Sequence, residues 1–92
     1  MKTIARYPFH LEDNFTLMLP VWAKILTVQM VRDEPSLFAL VDEQPQTQES
    51  RRFFLFGANA CIDPALIDPL TYVGTFQNWD QNMVFHLFMV ER

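Results

Sequence analysis

Apolar and polar residues alternate with a period of two through most of the chain, and short punctuating segments break the alternation. The C-terminal stretch Leu70 to Val90 is the clearest case, reading LTYVGTFQ, then NWDQN, then MVFHLFMV. Its arms are rich in β-branched, aromatic and large apolar residues, which suit a pleated surface, so the stretch predicts a β-hairpin with a polar tip at Asn78 to Asn82. The second arm is apolar on both alternating faces: Met83, Phe85, Leu87 and Met89 on one, Val84, His86, Phe88 and Val90 on the other. A strand open to water on one side would carry polar residues there, so this arm is expected to be covered on both.

Earlier in the chain, Lys2 to Tyr7 alternates and stops at Pro8, which has no amide hydrogen to give a ladder. Phe15 to Leu19 forms a second strand closed by Pro20, with Phe15, Leu17 and Leu19 on one face. Val21 to Lys24 reads as a turn in which Trp22 caps the edge of the core. Ile25 to Val31 then alternates, placing Leu26, Val28 and Met30 inward and Thr27 and Gln29 outward. Arg32 to Ser36 is a charged, proline-containing turn, and Leu37 to Asp42 is its hairpin partner. Glu43 to Ser50 (EQPQTQES) predicts a solvated loop, mobile at its tip, and Phe53 to Phe56 a short strand ending near Gly57. One helical turn is predicted at Ala65 to Asp68, with Asp63 as its N-cap, Pro64 at the first helical position and Pro69 ending it.

Seven short strands without room for a helical crossover predict one all-β domain over residues 1–92, or a β-rich α+β domain with one short helical turn. The expected architecture is a sandwich or an open, barrel-like sheet of about seven antiparallel strands joined as meanders.

Hydrophobic residues make up 50% of the chain, and nine are Phe, more than so thin a core can hold. The surplus predicts apolar patches covered by a partner, most simply a second copy, so a homodimer or higher homo-oligomer is expected. Eleven acidic against seven basic residues give a net charge of −4, and only Arg51 and Arg52 are adjacent cations, which argues against nucleic acid. A lone Cys61 excludes an intramolecular disulfide and points to a reducing, cytoplasmic setting. Pro8, His10, Glu12 and Asp13 interrupt any leader-like run, and no segment approaches the ~18 apolar residues of a membrane helix. The sequence therefore predicts a soluble protein with no membrane association.

Several segments taken together resemble a known family: Met1 to Ile4 with Arg6, Tyr7 and Pro8, Leu19 with Pro20, AKILTVQ at 23–29 and LFALVD at 37–42. Arg52 and Phe53, Phe56 and Gly57, YVGTFQ at 72–77 and VFHLF at 84–88 extend the resemblance over nearly the whole chain. The family is one of short, uncharacterised proteins commonly encoded by phages, prophages and other mobile elements. The resemblance implies a shared fold and a mobile-element origin and carries no activity with it. The chain departs from the family at Phe38, where Trp is frequent, at Ala58 to Ile62, where a Gly-rich segment with His stands, and at the tip Asn78 to Asn82, which is glycine-containing in the family.

No catalytic constellation is visible. His86 lies in an apolar strand, where the plainer reading is an imidazole hydrogen-bonded to a neighbouring carbonyl or hydroxyl. His10 is the other imidazole and is remote in sequence, so no metal or cofactor is expected. Cys61 with His86 is the one Cys–His pairing available to an enzyme, and a buried or half-buried thiol is the expected role of Cys61. Arg51 and Arg52 would pair on the surface with Glu49 or a cross-strand Asp42, or would hold a carboxylate or phosphate. Two functional expectations follow. In the first, a non-enzymatic module contacts a host or phage protein through exposed aromatics, with Trp22, Phe38, Phe54 and Trp79 as candidates. In the second, Arg52, Tyr72 and His86 line a small-ligand pocket between sheets.

Overall fold

A computed structural model describes residues 1–44, 47–79 and 82–91. Seven strands form in chain order: β1 (Lys2–Pro8), β2 (Asn14–Pro20), β3 (Lys24–Val31), β4 (Glu34–Asp42), β5 (Gln48–Gly57), β6 (Leu70–Asn78) and β7 (Met83–Val90). A single helical turn, α1 (Pro64–Ile67), lies between β5 and β6. The strands make a three-stranded sheet, ordered β1-β4-β3, and a four-stranded sheet, ordered β2-β5-β7-β6. All pairings are antiparallel, but only β3–β4 and β6–β7 join consecutive strands. The expected run of meanders is therefore reduced to two hairpins: the β1–β2, β2–β3 and β4–β5 connections pass from one sheet to the other, and the β5–β6 connection skips over β7 within the four-stranded sheet.

The two sheets enclose a core to which Leu19, Val28, Leu37, Ala39, Phe53, Leu55 and Leu87 contribute from both layers. Alternation explains which face each strand turns inward. On β4, Leu37, Ala39 and Val41 are buried while Phe38 and Leu40 remain half-exposed on the outer side. Proline stops β1, and the next residue, Phe9, plugs the end of the core. Its amide donates to Pro35 O at 3.0 Å and its ring stacks on Phe15 at 4.5 Å between centroids. Phe15 in turn stacks on Phe53, and Phe9 meets the edge of Phe76, so one aromatic column ties the linker to β2, β5 and β6.

Four expectations need correction. Leu26 is exposed, because β3 carries a bulge between Ile25 and Thr27 that turns the expected inward position outward and lets Ile25 pack on the core instead. Trp22 does not cap the core: it is 75% exposed at a positive φ of 74°, and neighbouring Ala23 takes the buried position. β5 begins at Gln48 within the polar run, pairing Glu49 with Leu19 and Ser50 with Met18. The tip of that run, Pro45 and Gln46, lies outside the described residues, as do Asp80 and Gln81 of the hairpin tip. Finally, β7 is covered on its inner face by the core, while its outer face is shielded only by side chains of β5 and β6.

The helical turn forms as its sequence dictates. Asp63 Oδ1 accepts from the Ala65 amide at 2.9 Å, and Pro64 sits at the first position, where an amide hydrogen would be idle. Asn59 and Asn82 adopt φ values of 65° and 51°, a left-handed conformation that asparagine tolerates and glycine favours.

Candidate functional site

The outer face of the four-stranded sheet gathers the most distinctive side chains. Pairing of Phe54 with Phe88 and of Phe88 with Tyr72 lines three rings across β5, β7 and β6. Pairing of Phe56 with His86 and of His86 with Thr75 makes a second row beside them. Phe56 meets the edge of Phe88 at 5.6 Å, and Tyr72 meets its other side at 5.3 Å. Arg52 continues the patch, its guanidinium carbon 5.2 Å from the Phe54 centroid and its Nη2 donating to Asn14 Oδ1 at 3.3 Å. Such a cation over a partly buried ring at the surface contributes about 0.5–1 kcal/mol.

A polar chain crosses this apolar ground. The Tyr72 hydroxyl is hydrogen-bonded to Thr75 Oγ1, and Thr75 Oγ1 lies 2.8 Å from His86 Nδ1. A bulge between Tyr72 and Gly74 brings Tyr72 and Thr75, three residues apart, onto the same face. The threonine has one hydrogen to give, so the chain runs in one direction at a time. Either Tyr72 donates to Thr75 and Thr75 to the imidazole, or the imidazole donates to Thr75 and Thr75 to Tyr72. A groove of about 370 Å³ opens where this face approaches α1, between Phe54, Phe56 and Leu66, with Asp13 and Asn14 on its rim.

Three of the residues singled out from sequence, Arg52, Tyr72 and His86, thus share one face, with Phe54 among them. They lie on the outside of the four-stranded sheet, not in a pocket between the sheets, because β5 and β7 turn Phe53, Leu55, Leu87 and Met89 inward at the alternate positions. The other aromatics do not converge on them. Phe38 is half-buried on the outer face of the three-stranded sheet, opposite Arg6 and Thr27. Trp22 and Trp79 project from two turns, each about three-quarters exposed. Thr75 was not among the sequence candidates, although counting back from the tip pair Asn78–Met83 places it opposite His86.

The two arginines part company. Arg52 takes Asn14 and Phe54 as neighbours, not Asp42. Arg51 points between the sheets and is buried, with Nη1 3.7 Å from Glu49 Oε1. Cys61 is exposed instead of buried, because the segment ahead of α1 lies outside the sheets, and no hydrogen bond joins it to His86 among the described residues. No group of three potential metal ligands occurs among the described residues, and no helix there is long and apolar enough to cross a membrane.

The family described as Domain of unknown function (DUF7352) matches residues 1–92, and the chain belongs to it. No curated protein and no solved structure matches the chain.

Proposed function

We propose that this member of a family of unknown function is a non-enzymatic protein-binding accessory module, carried on mobile DNA, that acts as a homo-oligomer. Its docking surface is the outer face of the four-stranded sheet. The observation that carries this reading is the row of Phe54, Phe88 and Tyr72, flanked by Phe56 and Arg52, which no second layer covers among the described residues. Aromatic rings with an arginine at their edge are what interface centres favour. The mobile-element setting is supported by the sequence resemblance, and a host or phage protein is the further partner expected in that setting.

The test is molar mass by light scattering at low micromolar concentration. A dimer or larger assembly is expected for the wild type, and Tyr72→Lys, which changes an exposed edge residue, is expected to shift it to monomer without loss of the cooperative melt. A monomeric wild type overturns the reading.

A second reading is favoured by the Tyr72–Thr75–His86 chain: a small ligand that hydrogen-bonds this chain while lying on Phe88, with Arg52 as a nearby cation. A thermal-shift screen separates the two, because only a bound ligand raises the melting temperature of the unmixed protein.

A further inference from the structure

A shallow, solvent-open cavity of about 560 Å³ lies at the opposite end of the sandwich from the described part of the polar loop, between the β3–β4 turn, the β1–β2 linker and the end of β6. Two of its walls are already committed. Arg6 Nη1 donates to Glu34 Oε1 at 3.2 Å and to Ser36 Oγ at 3.0 Å, so this exposed ion pair forms one side. Phe9, Leu11 and Val31 form an apolar side. What remains is a pair of opposite charges, Arg32 and Asp33, with His10 and Asn78 as further polar groups on the lining.

The pair is held at a conformational cost. Val31 pairs with Glu34, so Arg32 and Asp33 form a two-residue hairpin loop, and their φ values of 49° and 66° are those of a type I′ turn. Such a loop favours Asn-Gly, and an arginine with its Cβ in the left-handed region is strained. Neither residue makes an ion pair or side-chain hydrogen bond among the described residues that would compensate. A guanidinium and a carboxylate on consecutive exposed residues, without a side-chain partner among the described residues and lining the same cavity as an apolar wall, are complementary to one ligand chemistry in particular.

We propose that this cavity binds a small zwitterion of the α-amino-acid type. Arg32 receives the carboxylate through paired N–H donors, Asp33 receives the ammonium, and the side chain lies on Phe9, Leu11 and Val31. Arg6 and Glu34, closed on each other, act as a wall and exclude ligands bearing a second charge on that side. The site is separate from the aromatic face, so it stands or falls independently of the oligomer.

The experiment is a titration of the full chain, followed by amide NMR, with L-phenylalanine, N-acetyl-L-phenylalanine and phenethylamine as probes, each to about 10 mM, the upper range of a weak affinity. L-Phenylalanine is expected to give saturable shifts at residues 9–11 and 31–34, and both singly charged analogues to bind roughly tenfold more weakly or not at all. Arg32→Asn is expected to abolish the shifts while raising the melting temperature, since asparagine suits the left-handed turn position. Lys24→Gln, outside the cavity, is expected to bind like the wild type. Absence of saturable shifts, equal binding of the N-acetyl analogue, or undiminished binding by Arg32→Asn would each overturn the proposal.

Discussion

Arg51 Nη2 lies 2.9 Å from Met89 Sδ, a thioether where a buried guanidinium would ordinarily meet a carboxylate. The arginine is 6% exposed, its Nε and Nη1 make no hydrogen bond among the described residues, and its Nη1 is 3.7 Å from Glu49 Oε1. Removing a cation from water costs several kcal/mol, and this geometry recovers little of it. The double variant Arg51→Met with Glu49→Gln is therefore expected to be as stable as the wild type or more stable by about 1–3 kcal/mol. Glu49→Gln alone, which strands the cation, is expected to lose stability. Urea unfolding of the three proteins checks both signs, and a double variant less stable than Glu49→Gln alone refutes the account.

The close approach of β6 to β3 sets a second prediction. A Cβ added at Gly74 would stand 3.0 Å from Val28 Cγ1, closer than ordinary van der Waals contact, and Val28 is fully buried, so its side chain must give by a few tenths of an ångström within the core. Gly74→Ala is expected to cost about 1–3 kcal/mol by overpacking. At Gly57 an added Cβ meets nothing within 4 Å, and its φ is not positive, so Gly57→Ala is expected to be neutral or mildly stabilising. Adding Val28→Ala to Gly74→Ala should give a loss smaller than the sum of the two, because the new methyl occupies the vacated space. Thermal melts of the single and double variants report the coupling.

How much of this was legible beforehand depends on whether the information is local. Alternation and the stops at Pro8 and Pro20 place β1 and β2 within one or two residues, and Asp63-Pro64 locates α1, because each is decided by neighbours in sequence. The bulge at Leu26 leaves no such mark. One extra residue inverts the faces around it, and its reason lies in the pairing with β4. The start of β5 is hidden for a related reason: Glu49 and Arg51 occupy inward positions, and polar residues there read as loop until β2 and β7 are seen to cover them. Tyr72, Arg52 and His86 could be named from residue type, but their common face, and the Thr75 hydroxyl that joins two of them, depend on register and on a second bulge. The turn after Val31 is legible from its charges and Pro35, but its two-residue length and left-handed type are not, since neither Arg32 nor Asp33 is the usual signal for such a loop and β4 already begins at Glu34.

The bulge itself yields a test. If Leu26 faces water, Leu26→Thr should change stability by no more than about 0.5 kcal/mol, whereas Ile25→Thr, which puts a hydroxyl against the core, should cost about 1–3 kcal/mol. The reverse order would restore the unbulged alternation and place Leu26 inside.

The polar chain on the outer face makes the last prediction. A neutral imidazole exchanges its proton between two nitrogens, and a hydrogen bond to Nδ1 selects one tautomer. In the wild type, Thr75 Oγ1 lies 2.8 Å from Nδ1 and either donates to an unprotonated Nδ1 or accepts from a protonated one, so the tautomer and the direction of the Tyr72–Thr75–His86 chain are set together. The ring nitrogens of neutral His86 are therefore expected to show two well-separated ¹⁵N resonances. In Thr75→Val, which keeps the shape and removes the hydroxyl, they should move together toward the averaged values of a free imidazole. Tyr72→Phe should change the tautomer ratio less, because it removes the second bond of the chain and leaves the first. The same spectra bear on function: if a small molecule engages this chain, it must compete with or extend the Thr75 bond, and the ¹⁵N pattern will shift on its addition. Association through the aromatic row alone would leave the tautomer preference in place while broadening the resonances with the mass of the assembly.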